Sequence, residues 1–525
     1  MPDGKRSPGT DAEALAAALE VLERAAADRG LLASLDADGR RRLQQAAGEL
    51  ARPGPEQRRK LRRALARGER EARKARDGAL RRGTGIQALR LAPSYPTPAA
   101  MITGTVSVPR AATDTATATD TATATGFERE FSEPRKCYVC KAPYTRIHRF
   151  YDQLCPACGD ENEVRRTATV DLRGRVAIVT GARVKIGYQA AILLLRAGCR
   201  VVALTRFPRD AAARYAREPD FAEWRDRLDV FGIDLRHTPS VETLCHHLDG
   251  WLPRLDFQIH NACQTVRRPP GFYAHLVEAE DGPLDAVPED ARGLVAEYER
   301  FRASIRGAAA GVERPALLTQ ARSEADLLLP GRSEIDIFPR GVLDQDLQQV
   351  DLRTHNSWRL ALHEVPTLEL LEVLLVNATA PFVMASRLQG LMLRQREAPP
   401  GTATSGDAAK HVVMVSAMEG QFYRDHKTDR HPHTNMAKAA LNMLVRTSAA
   451  GLARDGIHLN AVDTGWVTDE DPAHLAARKA EEHAFSPPLD IVDGAARVVA
   501  PIVEGFRTGR HACGLFFKDY APAPW

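Results

Sequence analysis

The sequence predicts an α/β protein with a doubly wound parallel sheet, preceded by a helical N-terminal region and a small four-cysteine module. Three observations support this prediction. Over residues 175–205, an apolar run is followed by a glycine-containing turn, a helix-like run and a second apolar run. Upstream, over residues 137–158, two Cys-x2-Cys pairs lie close together. The first 95 residues are rich in Ala, Leu, Arg and Glu, most of which favour helix.

Length, composition and charge exclude several classes of protein. The chain has 525 residues, of which 44% are hydrophobic and 27% charged, and its net charge is +4. Since single cores stop growing at roughly 250–300 residues, we expect more than one domain. The near balance of charge argues against a nucleic-acid-binding polycation. Because no run of about 18 apolar residues occurs, we expect no membrane-spanning helix. The N-terminus has acids where a signal peptide needs apolar residues, so we expect a cytoplasmic protein.

The N-terminal region, residues 1–95, is predicted to be helical and basic. Pro53 and Pro55 interrupt its helical pattern, so we expect two or three helices. Residues 57–82 hold 12 Lys and Arg against three acids. This local excess suits an acidic partner or nucleic acid. A solvated helix face with neutralising i,i+4 pairs is the simpler interpretation.

Composition divides the rest of the chain into three parts. Residues 96–130 are predicted to be a linker, because the low-complexity run 113–125 has no side chain large enough to fill a core. Residues 131–165 form the cysteine module. Residues 166–525 form the main domain, with a helical insertion at about 264–366.

The cysteine module is predicted to bind one structural Zn²⁺. Its two pairs are separated by fourteen residues, and the four ligands would be Cys137, Cys140, Cys155 and Cys158. Four thiolates at this spacing suit a closed tetrahedral site. His148 is an alternative ligand, and a redox Cys-x2-Cys pair is a competing interpretation. We expect this ribbon to need its metal to fold, and we expect chelation to loosen it while leaving much of the main sheet intact.

The main domain begins with half of a dinucleotide-binding unit. Residues 175–180 and 200–205 are apolar strands, and the turn 181–187 between them leads into a helix over 190–199. Glycines allow the backbone to approach a pyrophosphate, and a helix N-terminus offers it free N–H groups. This arrangement predicts a Rossmann-type fold.

The main domain resembles the short-chain dehydrogenase/reductase superfamily through six motifs in the family's order. They are Thr180-Gly181 with Ile186-Gly187 in the glycine turn, Asp234 after the third strand, Asn261-Ala262 after the fourth, Asn377 in the next helix, Lys438 of the YxxxK motif, and NAVDTGWVT at 460–468 with Gly465, Val467 and Thr468. The resemblance implies that Asp234 contacts adenine and that Lys438 binds the cofactor ribose. It also implies that Asn377 organises a catalytic water and that 460–468 closes over the nicotinamide.

The sequence departs from the family pattern at several positions. The middle glycine of the turn is Lys185, the NNAG motif reads His260-Asn261-Ala262-Cys263, Thr434 replaces the YxxxK tyrosine, and Ala417 stands at the serine position with Ser416 one residue earlier. The family tyrosine exchanges a proton with the substrate oxygen. Because a threonine hydroxyl is far less acidic, another residue must take that role.

Candidates for this proton exchange lie in the loop before the Lys438 helix. They are Tyr423, His426, His431 and His433. We predict Tyr423 first, because a phenol has the right chemistry, and His433 second, because histidine is the side chain that ordinarily exchanges a proton near neutral pH. Ser416 is predicted to hold the substrate oxygen, and Asn377 the water that feeds Lys438.

The end of the second strand predicts NADP(H) in preference to NAD(H). NAD-binding members usually carry an acid there, whereas this chain has Thr205-Arg206, and the turn adds Arg183 and Lys185. Three cations suit a 2′-phosphate, with Arg206 as the main discriminator. Surface arginines that point to solvent are the alternative.

The sequence thus predicts an NADP(H)-dependent oxidoreductase, transferring hydride between the cofactor and a carbonyl or alcohol substrate with an altered acid/base set. The alternative is a catalytically weakened NADP-binding scaffold or sensor that uses the ribbon and basic helices to bind partners. We expect a small-molecule substrate, a homo-oligomer and no membrane contact. The insertion emerges where ligands bind, as a lid, an oligomer contact or a partner surface. Asn356, Ser357 and Trp358 line the pocket or form a helix cap.

Overall fold

The computed structural model describes residues 8–92, 95–97, 129–305, 307, 309–316, 334–394, 408–423, 427–472, 474–476, 478–479 and 486–525. The chain divides into two compact units, Met1–Asp77 and Gly78–Trp525. The run 113–125, which we predict to be a linker, lies outside the described residues.

The first unit contains helices α1 (Pro8–Ala27), α2 (Ala37–Ala51) and most of α3 (Pro55–Arg82), and helices and strands alternate through most of the second unit. The further described α-helices are α4 (Gly85–Leu91), α5 (Pro156–Arg166), α6 (Lys185–Arg196), α7 (Pro208–Tyr215), α8 (Phe221–Trp224), α9 (Thr238–Trp251), α10 (Pro270–Asp281), α11 (Glu289–Arg292), α12 (Ala296–Ser304), α13 (Ala310–Glu313), α14 (Glu334–Ile337), α15 (Thr367–Leu374), α16 (Ala380–Arg387), α17 (Gln389–Leu393), α18 (Pro432–Ala453) and α19 (Ile491–Thr508). The described strands are β1 (Glu130–Lys136), β2 (Pro143–Arg146), β3 (Val176–Thr180), β4 (Arg200–Thr205), β5 (Leu228–Gly232), β6 (Phe257–His260), β7 (Lys410–Ser416), β8 (Ile457–Asp463), β9 (Phe516–Lys518) and β10 (Ala521–Ala523).

The N-terminal unit is helical. The Asp36 carboxylate caps α2 by accepting a hydrogen bond from Gly39 N at 2.7 Å. Helix α3 begins at Pro55, where the missing N–H of proline removes no intrahelical bond. The basic stretch 57–82 lies within α3, and the side chains of 57–76 are exposed.

The second unit is built on an eight-stranded sheet of order β10-β9-β8-β7-β6-β3-β4-β5. Every pair in it is parallel except β10 with β9. The order of the strands along the chain reverses between β3 and β6, since β4 and β5 lie on one side of β3 and β6 to β8 on the other. The two halves of a doubly wound fold meet at this point. Strand β3 is buried along its whole length, as expected for a parallel strand covered on both faces. Helices α6 and α19 pack together, as do α9 and α16. The predicted Rossmann-type fold is therefore confirmed.

The cysteine module is a β1–β2 hairpin followed by α5. The first Cys-x2-Cys pair lies in the hairpin turn, and the second at the start of α5, with Cys155 as the N-cap. The hairpin does not pack alone. Phe131 of β1, together with Tyr151 and Leu154 from the segment between β2 and α5, shares one hydrophobic cluster with Val467 and Leu489 of the main domain. The described members of this cluster include no strand residue of the main sheet, so the expectation that chelation loosens the ribbon and leaves much of that sheet intact stays a prediction.

The segment between β6 and α15 covers one edge of the sheet. Tyr298 and Phe301 of α12 pack beside Phe231 of the edge strand β5. A Cβ added to Gly232 would lie 2.4 Å from the Tyr298 hydroxyl, so only glycine permits this approach. Covering an edge strand removes a surface on which other chains could pair.

One described stretch, Thr367–Arg387, is long and apolar enough to cross a membrane by length and composition. Core helices of soluble proteins pass the same test, so one such helix is weak evidence for a membrane. Here the stretch carries the buried polar residues Glu369, Glu372 and Asn377, and its π-helical part, Leu375–Thr379, packs against α18. It therefore has the contacts of a core helix.

Candidate active site

A cavity of about 1180 Å³ opens at the carboxyl ends of the parallel strands. Residues that immediately follow the central strands contribute to its lining: Gly181 after β3, Arg206 after β4, Ile233 after β5, Asn261 after β6, Ala417 after β7 and Thr464 after β8. Ligands of doubly wound sheets bind in this crevice. The cavity is therefore the candidate cofactor and substrate site.

The glycine turn forms the floor of this cavity at the start of α6. Gly181 has φ +67°, and a Cβ there would lie 2.9 Å from Ala262 Cα. A Cβ on Gly187 would lie 2.3 Å from both Asn261 Nδ2 and Gly181 O. Lys185, with φ 56°, adopts the left-handed conformation that favours glycine. The turn is thus a tight cradle of backbone, which fits a pyrophosphate at the helix N-terminus.

The end of β6 holds this turn in place. Asn261 Nδ2 donates hydrogen bonds to Thr180 O at 3.2 Å and to Gly181 O at 3.3 Å. Ala262 N donates to Thr180 Oγ1 at 2.9 Å. These predicted cofactor residues, together with Ile186 in the lining, are therefore brought together by the fold.

The three predicted phosphate-binding cations have different surroundings. Arg183 is buried, and its Nη1 lies 2.8 Å from Asp210 Oδ2. Lys185 Nζ lies 3.9 Å from Asp346 Oδ2. Arg206 instead donates to the Tyr273 hydroxyl at 3.1 Å and lies 4.8 Å from the centre of that ring.

The Asp234 carboxylate, which the resemblance assigns to adenine, is buried against Arg236. It accepts hydrogen bonds from Arg236 N at 2.9 Å and from Arg236 Nη2 at 2.6 Å. Arg236 also donates to Glu372 at 3.0 Å. A contact between Asp234 and adenine would have to share the carboxylate with this guanidinium.

On the other side of the turn, Lys438 lines the cavity from α18. Its buried ammonium donates to Val415 O at 2.7 Å. Asn377 lies in the π-helical stretch and exchanges two hydrogen bonds with the Gln264 backbone, accepting from N at 2.7 Å and donating to O at 3.3 Å. π-Helical turns interrupt the regular ladder and are frequent at functional sites.

Ser416 also lies at this end of the cavity, but its hydroxyl is engaged. It donates to Asn442 Oδ1 at 2.5 Å. Holding a substrate oxygen would require that bond to be broken or shared.

The two residues that we predict for proton exchange lie elsewhere. Tyr423 is 92% exposed and is not part of the cavity lining. His433 is buried near Glu369, with Nε2 3.5 Å from Oε1, and it too is absent from the lining. His426 lies outside the described residues. Neither side chain contributes to the cavity lining, because Tyr423 points to solvent and His433 is buried in the helix packing. Their role in proton exchange stays a prediction.

His431 lines the cavity instead. Its ring stacks on Trp358 with centroids 3.9 Å apart and 6° between the planes. Its backbone has φ 40° and ψ 50°, a strained conformation for a residue that is not glycine. Burial lowers the pKa of His431 to about 4. Its Nδ1 and the Thr434 Oγ1 have no hydrogen-bond partner in the described part of the chain. The sequence signal was only the histidine-rich loop, which does not tell which ring faces the cavity.

The four cysteines form a metal-binding arrangement. Their Sγ atoms all lie within 4.8 Å of one another, and Cys140 Sγ is 3.8 Å from Cys155 Sγ. Tetrahedral Zn–S bonds of about 2.3 Å set sulfur–sulfur distances near 3.8 Å, so the donor set fits that ion. His148 is committed elsewhere, because its Nδ1 accepts from Phe150 N and Tyr151 N, each at 3.1 Å.

Comparison with known proteins agrees with this geometry. The family model described as short chain dehydrogenase matches residues 175–276. A protein of Acanthamoeba polyphaga mimivirus named "Uncharacterized protein R665" is 31% identical over 382 residues, which cover 70% of this chain and 71% of that protein. Dehydrogenase/reductase SDR family member 13 of Bos taurus is 35% identical over 102 residues, 19% of this chain and 27% of the relative. This chain belongs to the short-chain dehydrogenase/reductase family.

Solved structures of this family overlap the chain only partly. The Pseudomonas aeruginosa RhlG/NADP active-site complex has 18% sequence identity and a TM-score of 0.39, and the match covers 66% of this chain and 95% of that one. A short-chain dehydrogenase from Streptomyces avermitilis has 15% identity and a TM-score of 0.36, with 62% and 83% covered.

This short-chain dehydrogenase/reductase has a buried histidine where the family motif begins with asparagine. His260 is 2% exposed, and burial lowers its pKa to about 3. An unfolded histidine has a pKa near 6.5. Below that pH the unfolded state therefore binds a proton that the folded state does not, and stability falls as pH falls.

We expect His260→Asn to remove this acid sensitivity. Between pH 7 and pH 5, the free energy of unfolding of the wild type should fall by about 2 kcal/mol more than that of the variant. Urea denaturation at the two pH values measures the difference. His246→Asn, at an exposed histidine, is the control and should follow the wild type. Equal pH dependence in His260→Asn and wild type would contradict the assignment.

Proposed function

We propose that the protein is an NADP(H)-dependent oxidoreductase that interconverts a carbonyl compound and its alcohol. The observation that carries the proposal is the position of Lys438, whose buried ammonium lines the same cavity as the glycine turn and Arg206. When bound, the cofactor supplies or accepts the hydride. The protein supplies the binding surfaces, the electrostatic field and the proton transfers.

Preference for NADP(H) rests on Arg206. Arg183 and Lys185 lie beside the carboxylates of Asp210 and Asp346, whereas Arg206 contacts a phenol and aromatic rings. A guanidinium whose charge is not neutralised by a carboxylate keeps its full attraction for a phosphate. It follows β4, the position where the ribose of a dinucleotide is recognised.

Arg206→Ala is expected to raise the Kd for NADPH about tenfold or more while changing the Kd for NADH less than about twofold. Hydrogen bonds to charged groups contribute about 1.5–3 kcal/mol, which corresponds to roughly 10- to 150-fold in affinity. Fluorescence titration with both cofactors gives the two constants.

Arg217→Ala serves as the matched control, since Arg217 is exposed on the same region of the chain and is absent from the cavity lining. Its affinities should equal those of the wild type. Equal loss of NADPH and NADH binding in Arg206→Ala would mean that the arginine does not discriminate, and tighter NADH than NADPH binding by the wild type would refute the preference.

The acid/base set that we propose lies at the start of α18. Thr434 and Lys438 follow the four-residue spacing that places side chains on one side of a helix, and His431 is the left-handed residue that immediately precedes the helix. All three line the cavity. The Lys438 cation stabilises negative charge that develops on the substrate oxygen. The Thr434 hydroxyl donates a hydrogen bond to that oxygen. When the substrate is the alcohol, the neutral His431 imidazole, fixed by its stack on Trp358, accepts a hydrogen bond from the substrate hydroxyl.

One observation favours the second candidate, a cofactor-binding scaffold with weakened catalysis. The residue four positions before Lys438 is Thr434, whose hydroxyl ionises far less readily than the family tyrosine. Consumption of NADPH against a panel of aldehydes and ketones separates the two functions. Turnover of any substrate supports the oxidoreductase, whereas tight NADPH binding without turnover across the panel supports the scaffold.

We also propose that Zn²⁺ fills the cysteine site and that the protein works in the reducing cytoplasm. None of the eight cysteines, all of which lie in the described part of the chain, is joined in a disulfide, which is the usual state in that compartment. Four thiolates complete the coordination shell, so the ion has a structural role.

A further inference from the structure

The four-cysteine module is joined to the cavity by one side chain, Tyr138. This residue lies between the first two cysteines, in the turn of the β1–β2 hairpin. It lines the cavity together with Lys438 and Trp466. Its hydroxyl accepts a hydrogen bond from Trp466 N at 2.9 Å, so a residue of the metal knuckle holds the segment that follows β8.

Two anchors fix that segment, Gly465–Thr468. On one side, Asp463 Oδ1 accepts from Gly465 N at 2.6 Å, while Oδ2 accepts from Met418 N at 2.7 Å. On the other side is Tyr138, whose hydroxyl would lie 3.3 Å from a Cβ on Gly465. Gly465 has φ +74°, so this bend depends on glycine and on the bonds around it.

The knuckle in turn is tied to the main domain beyond Tyr138. Tyr138 N donates to Gln153 O at 2.9 Å, which links the first cysteine pair to the loop before the second. Tyr151 donates to Asp493 Oδ1 at 2.6 Å, and Cys137 shares a hydrophobic cluster with Val467. Because small cysteine modules depend on their metal for folding, all of these contacts depend on the four thiolates.

The position of Tyr138 and the Trp466 segment in the cavity identifies which half of a bound dinucleotide lies beside them. In a doubly wound sheet a dinucleotide lies across the switch point, with its pyrophosphate at the glycine turn. Arg206 marks the adenosine half, on the β4 side. The opposite half must extend toward the ends of β7 and β8, where Lys438 and Trp466 lie.

We propose that Tyr138 is a positioning residue for the nicotinamide half of the cofactor, and that the metal-bound cysteine knuckle is the support that holds it there. This inference rests on the proposed function. The Trp466 segment keeps its binding conformation only while the Tyr138 hydroxyl is in place. Loss of the metal therefore weakens NADP⁺ binding through that half alone.

The test compares how tightly the full-length, metal-loaded protein binds the whole cofactor and its adenosine half. Calorimetric titration gives the Kd of NADP⁺ and of adenosine 2′,5′-bisphosphate, which lacks the nicotinamide. Tyr138→Phe should raise the Kd of NADP⁺ about three- to tenfold, the loss expected for one hydrogen bond, and leave that of the bisphosphate unchanged. Tyr144→Phe, in β2 of the same hairpin and outside the cavity lining, is the matched control and should change neither constant.

Two further measurements keep the inference independent of turnover and of the proposed function. Hydrogen–deuterium exchange of the peptide containing 464–468, without cofactor, should become faster in Tyr138→Phe and unchanged in Tyr144→Phe. Cys140→Ser should lower metal content and raise the Kd of NADP⁺ at least as much as Tyr138→Phe.

Each outcome distinguishes the two proposals. Unchanged NADP⁺ affinity in Tyr138→Phe, or parallel loss of both ligands, overturns the positioning role, as does unchanged exchange at 464–468. NADP⁺ affinity that survives metal removal overturns the supporting role of the knuckle. A wild type that binds neither ligand overturns the proposed function, and faster exchange at 464–468 in the variant would then still establish the structural coupling.

Discussion

Lys438→Met is expected to lower turnover at least about 100-fold and to raise the Kd for NADPH about tenfold or more. The ammonium has three N–H donors, and its bond to Val415 O uses one of them. Methionine is unbranched and only one atom shorter than lysine, and it removes both the charge and the donors. Charge-assisted hydrogen bonds account for about a tenfold or larger change in affinity, and acid/base groups for about 100-fold or more in rate. Steady-state NADPH oxidation and fluorescence titration measure the two effects.

Lys427→Met provides the control, because Lys427 also donates to a backbone carbonyl, Glu419 O at 2.7 Å, but is exposed and lies outside the cavity lining. It should keep wild-type activity. His431→Asn provides the contrast, with reduced turnover and nearly unchanged NADPH affinity. Full activity in Lys438→Met would show that this cavity is not the catalytic site.

The features that could be predicted from sequence are those set by local pattern. The runs 175–180 and 200–205 were expected to be strands, and the structure has β3 and β4 at Val176–Thr180 and Arg200–Thr205. Continuous apolar runs of this length, punctuated by a glycine turn, are typical of buried parallel strands. The four-cysteine cluster was predictable for the same reason, since both pairs have ligand spacing within a few residues.

Ion pairs between distant residues were not predictable. Arg183, which we expect to bind phosphate, pairs with Asp210 of α7, and Lys185 lies near Asp346 from the insertion. Both carboxylates reach the turn only because the chain folds back on it. Periodicity reports which face of an element is buried and gives no information on what faces it.

The direction in which side chains point within loops could not be predicted from the sequence either. Tyr423 and His431 lie eight residues apart in one loop, and the chemistry of a phenol favoured the tyrosine. In the structure, Tyr423 points to solvent, while His431 is buried against Trp358. The partner ring comes from the end of the insertion, so no pattern within the loop itself selects the histidine.

The network around Glu372 joins three parts of the main domain. Its carboxylate accepts from Arg236 Nη1 at 3.0 Å, from Arg267 Nε at 3.1 Å and from Gln264 Nε2 at 2.9 Å. Arg236 follows β5, the other two begin the insertion, and Glu372 belongs to α15. Glu372 is 5% exposed, and Arg267 is 6% exposed. Removing one member of a buried charge network leaves the opposite charge without compensation, which costs more than the intact network contributes.

Glu372→Leu is therefore expected to lower the free energy of unfolding by about 3 kcal/mol. Breaking a buried ion pair costs about 3–5 kcal/mol, and the loss here lies at the lower end because Asp234 still neutralises Arg236. The change also leaves the Gln264 amide without its acceptor, which adds to the loss. Chemical denaturation measures the effect, with Glu223→Leu, an exposed glutamate in α8, as the control that should change stability by less than about 0.5 kcal/mol. Glu372→Gln, which keeps the shape and one acceptor, should fall between the two. If Glu372→Leu is no less stable than Glu223→Leu, the network holds no part of the insertion against the sheet, and the cavity wall formed by Arg236 must owe its position to Asp234 alone.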